Sequence, residues 1–140
     1  EIGGEIRATK YKYNKQPWKA GIIDPLEQQK IVHAFLSSDF NSFSLATSGD
    51  YRNIRLFDKQ KLSHTIDTIS GVPSDYSQKS VTVISENTMK ADALATALNA
   101  MPLNEAIEFS NTNKLFVLFV IKEENSPKLL FSDELQRVKI

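Results

Sequence analysis

The chain has 140 residues, of which 41% are hydrophobic and 24% charged, an ordinary balance for one soluble globular domain with a real core, expected over residues 1–140. Lys plus Arg numbers 17 and Asp plus Glu numbers 17. The formal net charge is therefore zero, and there is no electrostatic case for nucleic acid or an anionic membrane surface. There is no cysteine, which excludes disulfides, thiolate metal sites and a cysteine nucleophile, and fits an oxidising compartment. No apolar run reaches the roughly 18 residues needed to span a bilayer. The chain begins Glu1-Ile2-Gly3-Gly4, without Met and inside an apparent strand, so the natural protein is expected to start earlier.

The first part reads as β. Residues 2–13 alternate loosely, with Gly3-Gly4 near their start, and 18–23 form a short strand closed by Asp24-Pro25. Residues 31–36 and 43–47 read as two more strands around turn chemistry at 38–42. Ser48-Gly49-Asp50 reads as a turn. Residues 53–57 and 61–66 read as a hairpin around Asp58-Lys59-Gln60, and Ser70-Gly71-Val72-Pro73 as a loop. The β-branched run Val81-Thr82-Val83-Ile84 predicts a buried strand over 80–85. The best helix runs over 88–101, capped by Asn87 or Thr88, with Leu94, Leu98 and Met101 as one apolar stripe and Pro102 as its stop. A shorter helix over 104–110 follows, then strands over 115–121 and 129–131. The sum is an α+β fold, a mixed and largely antiparallel sheet with a helical pair near the C-terminus.

Several segments can carry chemistry, and each has a plainer explanation. Gly3-Gly4 allows positive φ and close approach of a ligand to the backbone, but a β-bulge would explain it as well. Thr47-Ser48-Gly49 offers hydroxyls and N–H groups to a phosphate or a ring edge, or is a polar turn. His64 shares a strand face with Ile66, with Thr65 and Asp67 on the other. It can serve as acid, base or ligand, or be a satisfied structural histidine. His33 has no polar constellation and reads as structural. Tyr11, Tyr13 and Trp18 read as packing residues before stacking ones. Asp92 and Thr96 stand at i and i+4 on the helix, with Cβ atoms about 6 Å apart. A carboxylate with a hydroxyl suits Mg²⁺ rather than zinc, and Mg²⁺ takes its other ligands from water and substrate phosphates. An Asp in a first helical turn is also favourable through the macrodipole alone.

The order and spacing of these segments are more specific than any one of them. Glu1-Ile2-Gly3-Gly4-Glu5-Ile6-Arg7 comes first, then Pro17-Trp18-Lys19-Ala20-Gly21-Ile22 ending at Asp24-Pro25. Ala46-Thr47-Ser48-Gly49-Asp50-Tyr51-Arg52-Asn53 follows, then Ser63-His64-Thr65-Ile66-Asp67 with Ser70-Gly71-Val72-Pro73. The series ends at Ala91-Asp92-Ala93-Leu94-Ala95-Thr96-Ala97-Leu98. Together they resemble the FAD:protein FMN transferases, the ApbE-type flavin transferases, over residue 1 to about residue 98.

That resemblance implies an enzyme that cleaves the FAD diphosphate and attaches FMN covalently to a Thr or Ser of a target flavoprotein, assisted by Mg²⁺. It implies Asp92 and Thr96 as metal ligands and His64 as the active-site histidine. Thr65 becomes an adjoining FAD contact, and Gly3, Gly4, Thr47, Ser48 and Gly49 parts of the flavin pocket. It also implies a periplasmic or cell-envelope lipoprotein. Two departures stand out. The family's Asp-Pro-Arg/Lys-Thr-Gly is here Asp67-Thr68-Ile69-Ser70-Gly71, without the proline and the basic residue. The family's N-terminal half, with its Gly-rich Ala-Lys-Gly element, is absent, so this chain is expected to be an incomplete catalyst. The alternative is a degenerate or truncated relative that binds a flavin nucleotide without turnover.

Overall fold

The computed structural model describes residues 1–25, 27, 29–49, 55–57, 60–62, 66, 71, 79–123 and 126–138. Its centre is an antiparallel five-stranded sheet in the order β1 (Ile6–Ala8), β4 (Phe43–Gly49), β7 (Lys79–Ser85), β8 (Phe116–Ile121), β9 (Lys128–Phe131). Strand β7 is the middle of it and is covered on both sides, which is why its sequence is a nearly unbroken β-branched run. Side chains alternate across the pleat, so Ile84 and Val83 serve two different cores.

On one face, Leu45, Ile84, Leu118 and Val120 pack against Ala20, Ile22 and Phe35. Those three come from a hairpin of β2 (Lys19–Ile23) and β3 (Ile31–Leu36), laid over the sheet. On the other face, Val81, Val83, Val117 and Phe119 pack against Ala95 and Leu98 of α1 (Thr88–Ala100) and Ala106 of α2 (Leu103–Thr112). The molecule is thus three layers, hairpin, sheet and helices. A second small hairpin pairs β5 (Arg55–Phe57) with β6 (Gln60–Leu62), and α3 (Asp133–Arg137) follows β9. The Leu135 side chain of α3 joins the hairpin-side core.

Helix α1 begins where a cap is available. The Asn87 side chain accepts from the Lys90 amide at 2.9 Å, a bond worth about 1 kcal/mol to a helix. Pro102 ends α1 and stands as the N-cap of α2, as its missing N–H allows. Ser37 ties the layers at one corner. Its hydroxyl accepts from the Trp18 amide at 2.9 Å and donates to the Lys10 carbonyl at 2.6 Å. Ser132 does the same beside the helices, accepting from the Val117 amide at 3.0 Å and donating to the Leu115 carbonyl at 2.6 Å.

The α+β class and the antiparallel sheet are as the sequence predicts. Three local expectations are corrected. The alternation over 2–13 yields only the three residues of β1, because the flanking stretches close on themselves through the bridges Ile2↔Glu5 and Tyr11↔Pro17. Ser48 and Gly49 belong to β4 rather than to a turn, held by pairing with Val81 and Ser80. The buried side of α1 is Ala91, Ala95, Leu98 and Asn99, with Leu94 and Met101 at its margin, because small residues let the helix lie close on the sheet. Helix α3 has no counterpart in the sequence reading; five residues are too short for an apolar period.

Candidate functional site

The cleft is built first by a turn. Gly3 and Gly4 adopt φ of 65° and 110°, and Ile2 and Glu5 exchange both backbone hydrogen bonds across them at 3.0 Å. Two central residues at positive φ are what a two-residue hairpin loop demands, and glycine meets that at least cost. The bulge explanation is therefore replaced by a tight turn leading into β1.

That turn stands beside the end of β4 and the backbone of β2. Between them is a cleft of about 370 Å³. Gly3, Gly4, Gly21 and Gly49 all line it, four of the five glycines in the chain. Ile6, Ala20, Ile22, Ile23 and Leu45 supply apolar walls, and Thr47 a hydroxyl. Glu1 and Lys19 also line it, and where the four glycines do, peptide planes stand bare toward the cleft. The Thr47 and Thr82 hydroxyls are 2.8 Å apart across β4 and β7, which fixes the Thr47 side chain on this side of the sheet. Gly3, Gly4, Thr47 and Gly49, read separately from the sequence, are thus brought together. Ser48 is not. Alternation along β4 turns it to the helix-covered face, opposite Val81.

Asp92 and Thr96 lie on that helix face. The Ala95 and Leu98 neighbours pack into the core with Val81 and Val83, while Asp92 and Thr96 are exposed. Helix α1 starts at Thr88, so Asp92 is its fifth residue and outside the first turn, where no acidic residue stands. The cap belongs to Asn87, and the macrodipole does not explain the carboxylate. Neither the Asp92 nor the Thr96 side chain has a hydrogen-bond partner among the described residues. One carboxylate and one hydroxyl a helical turn apart, exposed and uncommitted, fit two oxygen ligands of a hydrated Mg²⁺ whose remaining places go to water and phosphate. Among the described residues there is no group of three or more His, Asp or Glu side chains that would complete a metal site without such help. The sheet stands between this pair and the glycine cleft.

His64 and Thr65 lie outside the described residues. His33 packs among aromatic rings, and its Nε2 is buried without a hydrogen-bond partner among the described residues. Its ring sits edge-on to Phe35 and Phe131, at 4.6 Å and 5.3 Å between centroids, and burial pushes its pKa below the ordinary 6.5. Trp18 is half-exposed, with the Lys12 ammonium 5.1 Å above its ring, and Tyr11 and Tyr13 are exposed. Two residues passed unnoticed in the sequence, Ser80 and Asn99. Both are fully buried, and their polar side-chain atoms have no hydrogen-bond partner among the described residues. Nothing in a sequence marks such groups, since their lack of partners is a property of packing.

Comparison with known proteins gives the family and the fold. The sequence pattern of the ApbE family matches residues 1–119. The chain is 35% identical over 128 residues to a FAD:protein FMN transferase of Vibrio cholerae, covering 91% of the chain and 38% of that protein. It is 32% identical over 133 residues to the FAD:protein FMN transferase of Escherichia coli K12, covering 95% of the chain and 37% of that protein. The ApbE protein of Thermotoga maritima superposes with a TM-score of 0.80 at 27% identity, covering 100% of the chain and 44% of that structure. The apo flavinyl transferase ApbE of Pseudomonas stutzeri superposes with a TM-score of 0.77 at 29% identity, covering 99% of the chain and 42% of that structure. The chain thus spans under two fifths of the length of the curated relatives it matches. With the family pattern over most of the chain and the fold in agreement, this chain belongs to the ApbE family.

Proposed function

We propose that this chain supplies part of the nucleotide site of a Mg²⁺-dependent FAD:protein FMN transferase. The observation that carries this reading is the gathering of four of five glycines with Thr47 around one cleft, in a chain of this family. The cleft accepts a flat ring against bare backbone. On the helix face, Asp92 and Thr96 would hold Mg²⁺, which when bound offsets the negative charge of a diphosphate. The acceptor is the hydroxyl of a Thr or Ser on a target flavoprotein. Its oxygen forms a bond to the riboflavin-side phosphorus, the P–O bond to AMP breaks, AMP leaves with the electron pair, and the hydroxyl proton passes to a base. His64 is the candidate for that base, or for orienting the phosphates. Such a transfer depends mainly on charge neutralisation and positioning. For the intact protein, a cell-envelope lipoprotein is the setting the family resemblance supports, and the absence of cysteine from these 140 residues fits an oxidising compartment.

FMN attachment to a target flavoprotein, followed by flavin fluorescence on a denaturing gel, tests this. The intact protein transfers FMN only with Mg²⁺, and D92A and H64A each lose at least about a hundredfold in rate. Unimpaired D92A refutes the metal assignment. A second reading, flavin-nucleotide binding without turnover, is favoured by Thr68-Ile69, which stand where the family has a proline and a basic residue. The 140 residues alone decide it: binding of FAD without transfer supports that reading for the chain, and transfer at the full rate refutes it.

A further inference from the structure

Ser80 and Asn99 are each 0% exposed, and the Ser80 Oγ and both amide atoms of Asn99 lack a hydrogen-bond partner among the described residues. Both stand at one end of the sheet, on opposite faces. Ser80 pairs directly with Gly49, as Thr82 does with Thr47 two residues on. The contact between the Thr47 and Thr82 hydroxyls sets that row on the cleft side, and alternation places the Ser80 hydroxyl in it. Gly49 lines the cleft, and Ser80 stands beside it in the sheet, buried just behind the lining.

Asn99 belongs to the helix side. The Lys79 ammonium donates to the Met101 carbonyl, so the C-terminal end of α1 lies over the first residue of β7. Asn99, two residues before Met101, is therefore at the Gly49–Ser80 end as well. On a helix turning about 100° per residue, Asn99 projects within about 20° of the direction of Asp92, and it lies one turn beyond Thr96. The pair of candidate cation ligands and the unmet amide thus form one line down the same flank of α1, running toward the end of the sheet where Ser80 stands.

An unmet buried amide or hydroxyl opposes folding, and alanine in either place would avoid that cost. Such groups call for a partner, and the described residues supply none. We propose that Ser80 and Asn99 are ligand-binding residues for a dinucleotide that crosses the Gly49–Ser80 end of the sheet, one ring in the glycine cleft and the diphosphate toward Asp92 and Thr96. This rests on the flavin-dinucleotide reading above. The Ser80 hydroxyl bonds the ring or sugar on the cleft side. The Asn99 carboxamide suits the diphosphate side, where its NH₂ would donate to a phosphate oxygen and its carbonyl would accept from an O–H or N–H donor. An aspartate there would repel the phosphate, and an apolar residue would satisfy neither partner. Both side chains are fully buried, so a ligand reaches them only as the layers that cover them part.

The test uses the intact protein with S80A and N99A as single variants. FAD affinity is measured with Mg²⁺ by flavin fluorescence, Mg²⁺-ADP and riboflavin are titrated separately, and the melting midpoint is measured without ligand. The expected result is a loss of about tenfold in FAD affinity for each variant. S80A loses it in the riboflavin titration and N99A in the Mg²⁺-ADP titration, with ligand-free midpoints equal to or above the parent's. Variants that bind FAD like the parent overturn the proposal. So does a loss of affinity accompanied by a lowered ligand-free midpoint, which is the mark of a purely structural role. A parent protein that does not bind FAD refutes the dinucleotide reading itself and the proposal with it.

Discussion

The hydroxyl oxygens of Thr47 and Thr82 meet at 2.8 Å across β4 and β7, on the sheet face that leads into the glycine cleft. Each hydroxyl is the other's partner in a half-buried setting. T47V leaves Thr82 without its bond and is expected to lower stability by about 1–2 kcal/mol. T47V/T82V removes both polar groups and is expected to recover most of that loss. Urea unfolding of the two singles and the double separates the pair from simple packing; a double variant as weak as the sum of the singles contradicts it.

Asp92 and Thr96 are exposed and hold nothing within the described chain, so their removal is predicted to spare the fold. D92A and T96V are expected to melt within about 2 °C of the parent in the absence of Mg²⁺. Their cost appears with the cation. The parent gains in melting temperature when Mg²⁺ and FAD are added together, and both variants lose that gain. Midpoints measured with and without the two ligands decide the matter.

Gly4 has φ of 110°, a conformation that L side chains rarely adopt, although nothing lies within 4 Å of a Cβ built there. The effect of G4A is therefore backbone strain without a clash. A loss of about 1–2 kcal/mol in stability is expected. Because the turn lines the cleft, FAD affinity should fall with it. At Gly21 the neighbour is the flexible end of Ile31, 2.9 Å from a built Cβ, and Ile31 is exposed and free to turn. G21A is predicted to be the milder of the two in thermal melts.

The His33 pKa is lowered by burial against the two phenylalanines, so the folded chain favours the neutral ring. Below the ordinary 6.5 the unfolded chain binds the proton first. Stability from this residue is whole above that pH and declines as pH falls from it toward the folded pKa. Melting midpoints from about pH 7.5 to about pH 5 should decline less in H33F than in the parent. Equal declines would mean that other groups set the acid sensitivity.

Much of this molecule was legible in its residues. The run Val81-Thr82-Val83-Ile84 signals a strand covered on both sides, and Asn87 and Pro102 bound α1, because branched side chains, a capping amide and a missing N–H act locally. The ordered motifs identify the family for the same reason, since each is a short local pattern. Assembly was not legible. No local signal says that Gly3, Gly21 and Gly49, spread over three elements, share one cleft, or that Ser48 turns away from Thr47 and Gly49; pairing and register decide both. The unmet atoms of Ser80 and Asn99 lie further still from the sequence. Whether a buried hydroxyl or amide finds a partner depends on every layer packed around it, and that is settled only when hairpin, sheet and helices have closed.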